Sequence, residues 1–279
     1  MTIRRSTLPA RATDDRTGSS AARPGSTTTR RGLLRWGALA GTGTLLTACA
    51  GGGQAPGTGA PPERPEVIDD PDQALELLRE GNARFVTAHE QHTTGTLQRR
   101  VHVAAAQHPF AIVLSCADSR VPPELVFDRG LGDLFVVRTA GQVLAPPVLG
   151  SIQYGVEHLH VPLVVVLGHE NCGAVGATLD AVQHHSPASG TAVDSLVEAI
   201  RPAVERARAS TGGTDGTGGT DLLARAVRAN VAAEVSALAA DPLLAAAVDD
   251  GHLRIVGATY DLDDGNVTFT SALAPGRAA

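Results

Sequence analysis

Leu163-Val-Val-Val-Leu-Gly-His-Glu-Asn-Cys-Gly173 is the stretch that decides the fold. Its first five residues are an unbroken apolar run rich in Val. That is the pattern of a strand buried on both faces, which occurs in parallel sheets covered by helices. The run then breaks into Gly168-His169-Glu170-Asn171-Cys172-Gly173, which is polar and turn-forming. Residues that follow a strand of a parallel sheet stand at its carboxyl end, where α/β folds bind their ligands. One stretch therefore predicts both a sheet type and the place of a site.

A second run has the same design. Phe110 to Ser115 is apolar and passes directly into Cys116-Ala-Asp118-Ser-Arg120. Both polar clusters are thus expected at one end of one sheet. Leu134 to Val137 reads as a third strand, and Leu253 to Thr259 and Val267 to Ser271 as two closing strands. Asp263-Asp-Gly-Asn266 joins the last two as a hairpin. Between the strands the spacing turns helical. Asp72 to Phe85 follows the Asp70-Pro71 start signal, and Val148 to Leu159, Thr191 to Ala209 and Asp221 to Ala240 follow in turn. Thr211 to Thr220, almost all Gly and Thr, reads as a mobile surface loop. Strands alternating with helices predict an α/β fold with a central, mostly parallel sheet flanked by helices and an antiparallel edge. No internal repeat interrupts it.

The 279 residues are 43% hydrophobic and 19% charged, enough to bury a core and too apolar for a wholly disordered chain. Aromatics are only 3%, so the core must be built from Ala, Val and Leu. The net charge of −6 is uneven: residues 1–48 carry +6 and the remainder −12. An acidic body argues against a nucleic-acid partner, because neutralising phosphates needs a basic surface.

The N-terminal 65 residues read as targeting and tether rather than fold. Arg30-Arg31 precedes a short apolar stretch from Trp36 to Ala48, too short to span a bilayer. Leu46-Thr-Ala-Cys49 follows. Together they resemble a twin-arginine export signal joined to a lipoprotein box, cut before Cys49, whose thiol would then carry a lipid anchor. A plain secretory signal in which Cys49 happens to lie near the cut is the alternative. The expected organisation is an export signal over 1–48, a Gly- and Pro-rich linker over 49–65 and a catalytic domain over 66–279. The expected location is outside the cell, anchored to the outer face of its membrane, or else secreted or periplasmic.

Cys116, His169 and Cys172 are the candidate metal ligands. His and Cys three residues apart can converge on one ion where a strand turns into a helix, and a thiolate from a neighbouring strand end completes a Cys2His set. Zinc takes such ligands tetrahedrally. Three protein ligands leave one position open, as catalytic sites do, and a water bound there can ionise near neutral pH and become a nucleophile. The bland alternatives are a disulfide or two small buried thiols. No Cys-x-x-Cys or His-x-x-x-His offers a competing site, and His89, His92, His184 and His185 lie in polar stretches expected at the surface. Asp118 and Arg120 can form a bidentate ion pair beside the metal. The carboxylate could orient the bound nucleophile, or could swing in and occupy the open position itself.

Cys116-Ala-Asp-Ser-Arg120 and Gly168-His-Glu-Asn-Cys-Gly173 resemble the two signatures of the β-class carbonic anhydrases. The resemblance extends through Gly81-Asn-Ala-Arg-Phe85, Gly132-Asp-Leu-Phe-Val-Val-Arg-Thr-Ala-Gly141 and Ser151-Ile-Gln-Tyr154, and covers residues 70–272. It implies four parallel strands plus an antiparallel edge strand, and a homodimer or homotetramer. It implies one Zn2+ per chain on Cys116, His169 and Cys172, with Asp118, paired with Arg120, gating the fourth position. The implied reaction is reversible hydration of carbon dioxide to bicarbonate, with the Gly173 N–H helping to hold the product. One departure stands out. Plant-type members carry a Gln in the loop before the second strand, where it can donate to bicarbonate; here the loop reads Phe127-Asp-Arg129-Gly-Leu131, with no Gln, which puts a side-chain donor in doubt, and Arg129 lies nearby.

Other readings keep part of this picture. Relatives of the family hydrolyse carbonyl sulfide or carbon disulfide on the same fold. A non-catalytic zinc-binding surface lipoprotein would need the three ligands but no Asp118–Arg120 pair. A redox thiol protein fits poorly without a Cys-x-x-Cys.

Overall fold

The computed structural model describes residues 67–91, 97–210 and 219–270. The expected export signal, linker and Cys49 lie outside them, as do His92 and most of the Gly- and Thr-rich loop.

Five strands form one sheet in the order β2-β1-β3-β4-β5. They are β1 (Ala111–Cys116), β2 (Leu134–Thr139), β3 (Leu163–His169), β4 (Arg254–Tyr260) and β5 (Val267–Phe269). The first four in this order run parallel, and β5 pairs antiparallel with β4. The expected architecture of four parallel strands with an antiparallel edge is therefore observed. Every residue of β1 and β3 is buried. β2 lies at the open edge and is half-buried along its length.

Side chains alternate across each strand and feed two different layers. Ala111, Val113, Leu163, Val165, Leu167 and Val256 point to one face and pack on Leu75 and Leu78 of α1 (Pro71–Val86) and Val126 of α3 (Pro123–Val126). Ile112, Leu114, Val164, Val166 and Ile255 point to the other. They meet α4 (Pro146–Leu159), α7 (Gly219–Ala240) and α8 (Pro242–Asp249). Beyond the carboxyl ends of the strands, α5 (Gly173–Gln183) and α6 (Val193–Ala209) pack with α7 around Cys116 and Cys172. The short α2 (Leu97–His102) precedes β1. Among the described residues no single helix is long and apolar enough to cross a membrane.

The start signal of α1 works as its sequence predicts. The Asp70 carboxylate accepts from the N–H groups of Asp72 and Gln73 at 2.7 and 3.0 Å, and Pro71 occupies the first turn. The Gly81-to-Phe85 stretch serves packing. A Cβ at Gly81 would collide with the carbonyl of Phe127, so only glycine lets α1 approach this closely. The Asn82 amide donates to the carbonyls of Val126 and Gly265 at 3.1 and 2.9 Å, and its oxygen accepts from the Val267 N–H at 2.8 Å. One buried side chain thus ties α1 to α3 and to the closing hairpin. Arg84 holds Asp128 at 2.6 Å. In the hairpin, Asp261 Oδ1 accepts from the N–H groups of Asp263 and Asp264, and Gly265 takes the left-handed φ of 78° that the turn requires.

Candidate metal centre

Parallel pairing brings the ligands together. Ser115 lies opposite Leu167, so the ends of β1 and β3 place Cys116 and His169 side by side. Asn171 then adopts a left-handed backbone, φ 50°, which Asn tolerates better than most residues. That reversal returns the chain so that Cys172 caps the start of α5. The turn Glu170-Asn171 is thus what makes the His-x-x-Cys spacing converge.

The two sulfurs stand 4.0 Å apart and both cysteines are free thiols. A disulfide would need about 2 Å. Two thiolates on one tetrahedral zinc, each about 2.3 Å from it, would stand roughly 3.8 Å apart. Cys116 Sγ, Cys172 Sγ and a ring nitrogen of His169 all lie within 4.8 Å of one another. The His169 ring is wholly buried, and its Nδ1–H donates to the Glu170 carbonyl at 2.8 Å. That hydrogen bond fixes the tautomer and leaves a lone pair on Nε2. Nε2 has no hydrogen-bond partner among the described residues. A buried, oriented lone pair facing two buried thiols is a donor set for a soft or borderline metal ion.

The electrostatics agree with that reading. Cys116 is held well below the usual thiol range, to about 4. Its hydrogen bond with Cys172 is the largest cause, with the Gly141 and Asp118 backbone adding to it against burial. The same hydrogen bond and burial push Cys172 up, opposed by the N–H groups of Val175 and Ala174 in the first turn of α5. The pair therefore gives up one proton readily and holds the other until a cation arrives.

Asp118 sits at the mouth. Its Oδ1 accepts from Arg120 Nε at 3.0 Å and from the Arg120 backbone N–H at 2.9 Å, and its Oδ2 from Nη2 at 2.8 Å. That grip by Arg120 holds the carboxyl well below the usual carboxylate range. Oδ2 also lies 3.8 Å from His169 Nε2. The expected ion pair is therefore present, and the carboxylate faces the ligands while it is tethered to an outward-facing guanidinium. Gly173, the first residue of α5, has open space beside it. Its N–H belongs to the free amino end of that helix, which favours negative charge.

Three residues with no expected site role complete the surroundings. Arg138 donates to the carbonyls of Cys116 and Asp118 at 2.9 and 2.6 Å and so sets the loop between them. The Gly141 N–H donates to Cys116 Sγ at 3.3 Å, and Asn230 of α7 donates to the Gly141 carbonyl at 2.9 Å. Arg138 and Gly141 lie in a stretch the sequence marks, at the end of the strand beside Cys116. Asn230 is a polar residue in an Ala-rich helix, the one local signal it gives.

Arg129 does not reach the neighbourhood of Cys116 within the chain. Its guanidinium lies 5.5 Å over the Phe110 ring and reaches the Leu77 carbonyl. Phe110 precedes β1, so that point is about 20 Å of strand from Cys116. The loop before a parallel strand sits at the amino ends of the sheet, whereas the ligands sit at the carboxyl ends. Burial lowers the Arg129 guanidinium to about 10. His89, His184 and His185 are exposed, as expected.

Residues 111–267 match the family model described as carbonic anhydrase. Carbonic anhydrase 2 of Mycobacterium tuberculosis is 44% identical over 201 residues, covering 72% of this chain and 93% of that protein. The chain belongs to the carbonic anhydrase family. A carbonic anhydrase of Mycolicibacterium smegmatis is 44% identical over 206 residues, covering 73% and 95%. The fold of this family member is that of the β class. A tetrameric β-carbonic anhydrase from Sordaria macrospora superposes with a TM-score of 0.57 at 22% identity, over 73% of this chain and all of that one. The Coccomyxa β-carbonic anhydrase, solved with acetazolamide, gives 0.55 at 26% identity, over 74% and 89%.

Proposed function

We propose that this chain is a zinc enzyme that hydrates carbon dioxide reversibly to bicarbonate and a proton, with Cys116 Sγ, His169 Nε2 and Cys172 Sγ as the metal ligands. The observation that carries the reading is the wholly buried, unpartnered Nε2 beside two thiols 4.0 Å apart, with a carboxylate tethered at the mouth. Zinc bound there would lower the pKa of a coordinated water towards neutrality and so supply a nucleophile.

The chain's own groups do the rest. Arg120 keeps Asp118 ionised, so Oδ2 can accept a hydrogen bond from the attacking water and orient its lone pair towards carbon dioxide. With Arg120 holding both carboxylate oxygens, Asp118 is kept from moving in as a ligand. The Gly173 N–H, at the start of α5, faces the negative charge that develops on the product oxygens. Arg138 keeps Asp118 at a fixed offset from Cys116 through the two carbonyls it holds.

The remaining assignments are part of the same proposal. Residues 1–48 act as an export signal, Cys49 carries a lipid, residues 49–65 tether the domain, and residues 66–279 are catalytic. The enzyme works at the outer face of the membrane as a homodimer or homotetramer. The twin arginine and Leu46-Thr-Ala-Cys49 support the first part, and the tetrameric Sordaria relative supports the second.

Stopped-flow hydration of carbon dioxide by the purified protein, with metal quantified in the same sample across about pH 7 to 9, tests the activity. One zinc per chain with rapid hydration is expected. One zinc per chain without hydration anywhere in that range overturns it, and leaves the sulfur-substrate hydrolase or the zinc-binding lipoprotein. Release of the protein from the membrane fraction by Cys49→Ala is the expected result for the anchor.

A further inference from the structure

α7 reaches the metal ligands without contributing one. Asn230 is 1% exposed, and its Nδ2 donates to the Gly141 carbonyl at 2.9 Å. The other side of the same residue, the Gly141 N–H, donates to Cys116 Sγ at 3.3 Å. Asn230 thus joins α7 to the turn that carries the sulfur's hydrogen-bond donor.

That segment needs gripping. Gly141 and Gln142 are consecutive left-handed residues, at φ 70° and 46°. Left-handed backbone is costly for Gln, and it persists only where the surroundings enforce it. The Gln142 side-chain amide is buried and neither of its polar atoms has a hydrogen-bond partner among the described residues. It therefore adds no polar anchor of its own. Ile200 of α6 closes the space beside Gly141, where a Cβ would lie 2.6 Å from its Cδ1. The direction of the Gly141 N–H is thus set by Asn230 on one side and by packing on the other.

We propose that Asn230 is a positioning residue: by holding the Gly141 carbonyl it fixes the backbone at Gly141, and so keeps the Gly141 N–H, which belongs to the preceding peptide, pointed at the Cys116 sulfur. An N–H donated to a ligating thiolate withdraws charge from the sulfur and fixes its direction. Groups that act in this way on metal ligands govern affinity as strongly as many ligands do. The proposal rests on Cys116 being a metal ligand, and its test separates the two.

The experiment uses the full chain and two variants: Asn230→Asp, which keeps the shape but as a carboxylate cannot donate to the Gly141 carbonyl, and Asn230→Ala. On metal-free protein, amide hydrogen exchange is read at Gly141 and at Val164 to Leu167 of β3. Both Asn230 variants should speed exchange at Gly141 by about tenfold or more while the β3 amides stay protected. With 113Cd as the probe metal, the wild type should show coupling between the metal and the Gly141 amide proton through the N–H···S bond. Asn230→Asp should lose it, and its cadmium affinity by chelator competition should fall about 10–100-fold.

Unchanged exchange at Gly141 in both Asn230 variants overturns the proposal, as does unchanged cadmium coupling. Equal acceleration at Gly141 and in β3 also overturns it, because Asn230 would then be a support of the whole fold. Failure of the wild type to bind cadmium would sink the metal reading alone, and the exchange comparison would still decide the positioning role.

Discussion

Glu234→Gln should change how the stability of this protein depends on pH. α7 buries Glu234, which is 8% exposed, and burial is the main cause that pushes its carboxyl up from 4.5 to about 7. The Leu144 N–H opposes that shift and does not cancel it. In the unfolded chain the group ionises near its ordinary value, so between about pH 4.5 and 7 the folded state binds a proton that the unfolded state has lost. Stability from this group is therefore full below the unfolded value and is lost as pH rises through the folded one. Each tenfold difference in proton affinity is worth about 1.4 kcal/mol, so the whole window corresponds to roughly 3 kcal/mol. Gln keeps the shape and has no proton to lose. Urea unfolding of wild type and Glu234→Gln at half-unit steps from pH 5 to 8 is the assay. The wild type should lose stability relative to the variant with rising pH, by roughly 2–3 kcal/mol in total. Parallel curves, or a wild type that gains on the variant as pH rises, would refute the reasoning.

Other outcomes follow from the site and its supports. Asp118→Asn should keep one metal per chain and slow carbon dioxide hydration by about a hundredfold, since the neutral amide neither pairs with Arg120 nor accepts as strongly from water; hydration within twofold of wild type would remove Asp118 from the mechanism. Cys172→Ser should bring metal content, measured by elemental analysis after dialysis, close to zero per chain, and full retention would mean that the ion sits elsewhere. Gly81→Ala should cost about 3 kcal/mol by forcing α1 off the Phe127 carbonyl, read as a fall of about 6–12 °C in Tm; an unchanged Tm would show that the close approach is dispensable. Gly141→Ala should fold less stably and bind metal less tightly, because its new methyl meets Ile200 and its φ is left-handed; chelator competition reads the second effect.

What the sequence makes legible is what parallel-sheet physics writes locally. β1 and β3 are buried on both faces, so their runs are continuous, and each hands over at once to a polar cluster. That is why the residues alone are enough to group Cys116, Asp118, His169 and Cys172 at one end of the sheet. Observed bounds differ by a residue or two, as with β4, which ends at Tyr260 rather than Thr259. α8 is not among the expected helices, although Asp241-Pro242 is the same start signal as Asp70-Pro71; its eight residues are too few to show a period. α5 is equally quiet, because a helix rich in Ala and Gly has little contrast between its faces. The Asn230–Gly141 contact spans 89 residues of sequence and exists only because α7 packs across the strand ends. Arg129 precedes β2 closely in sequence yet lies far from the ligands, because the loop before a parallel strand occupies the opposite end of the sheet from the loop after it.

The Asn82 carboxamide has a consequence for the order in which the molecule can be made. It sits near the start of the folded domain and bonds the backbone of Gly265 and Val267, 183 and 185 residues later. A chain emerging from the ribosome presents α1 first and the closing hairpin last. Val126 can take up part of that carboxamide early, but its bonds to Gly265 and Val267 must wait until the end of synthesis, after all three ligand side chains have emerged. A chain halted after β4 would therefore carry every ligand and still lack the bonds that join its two ends.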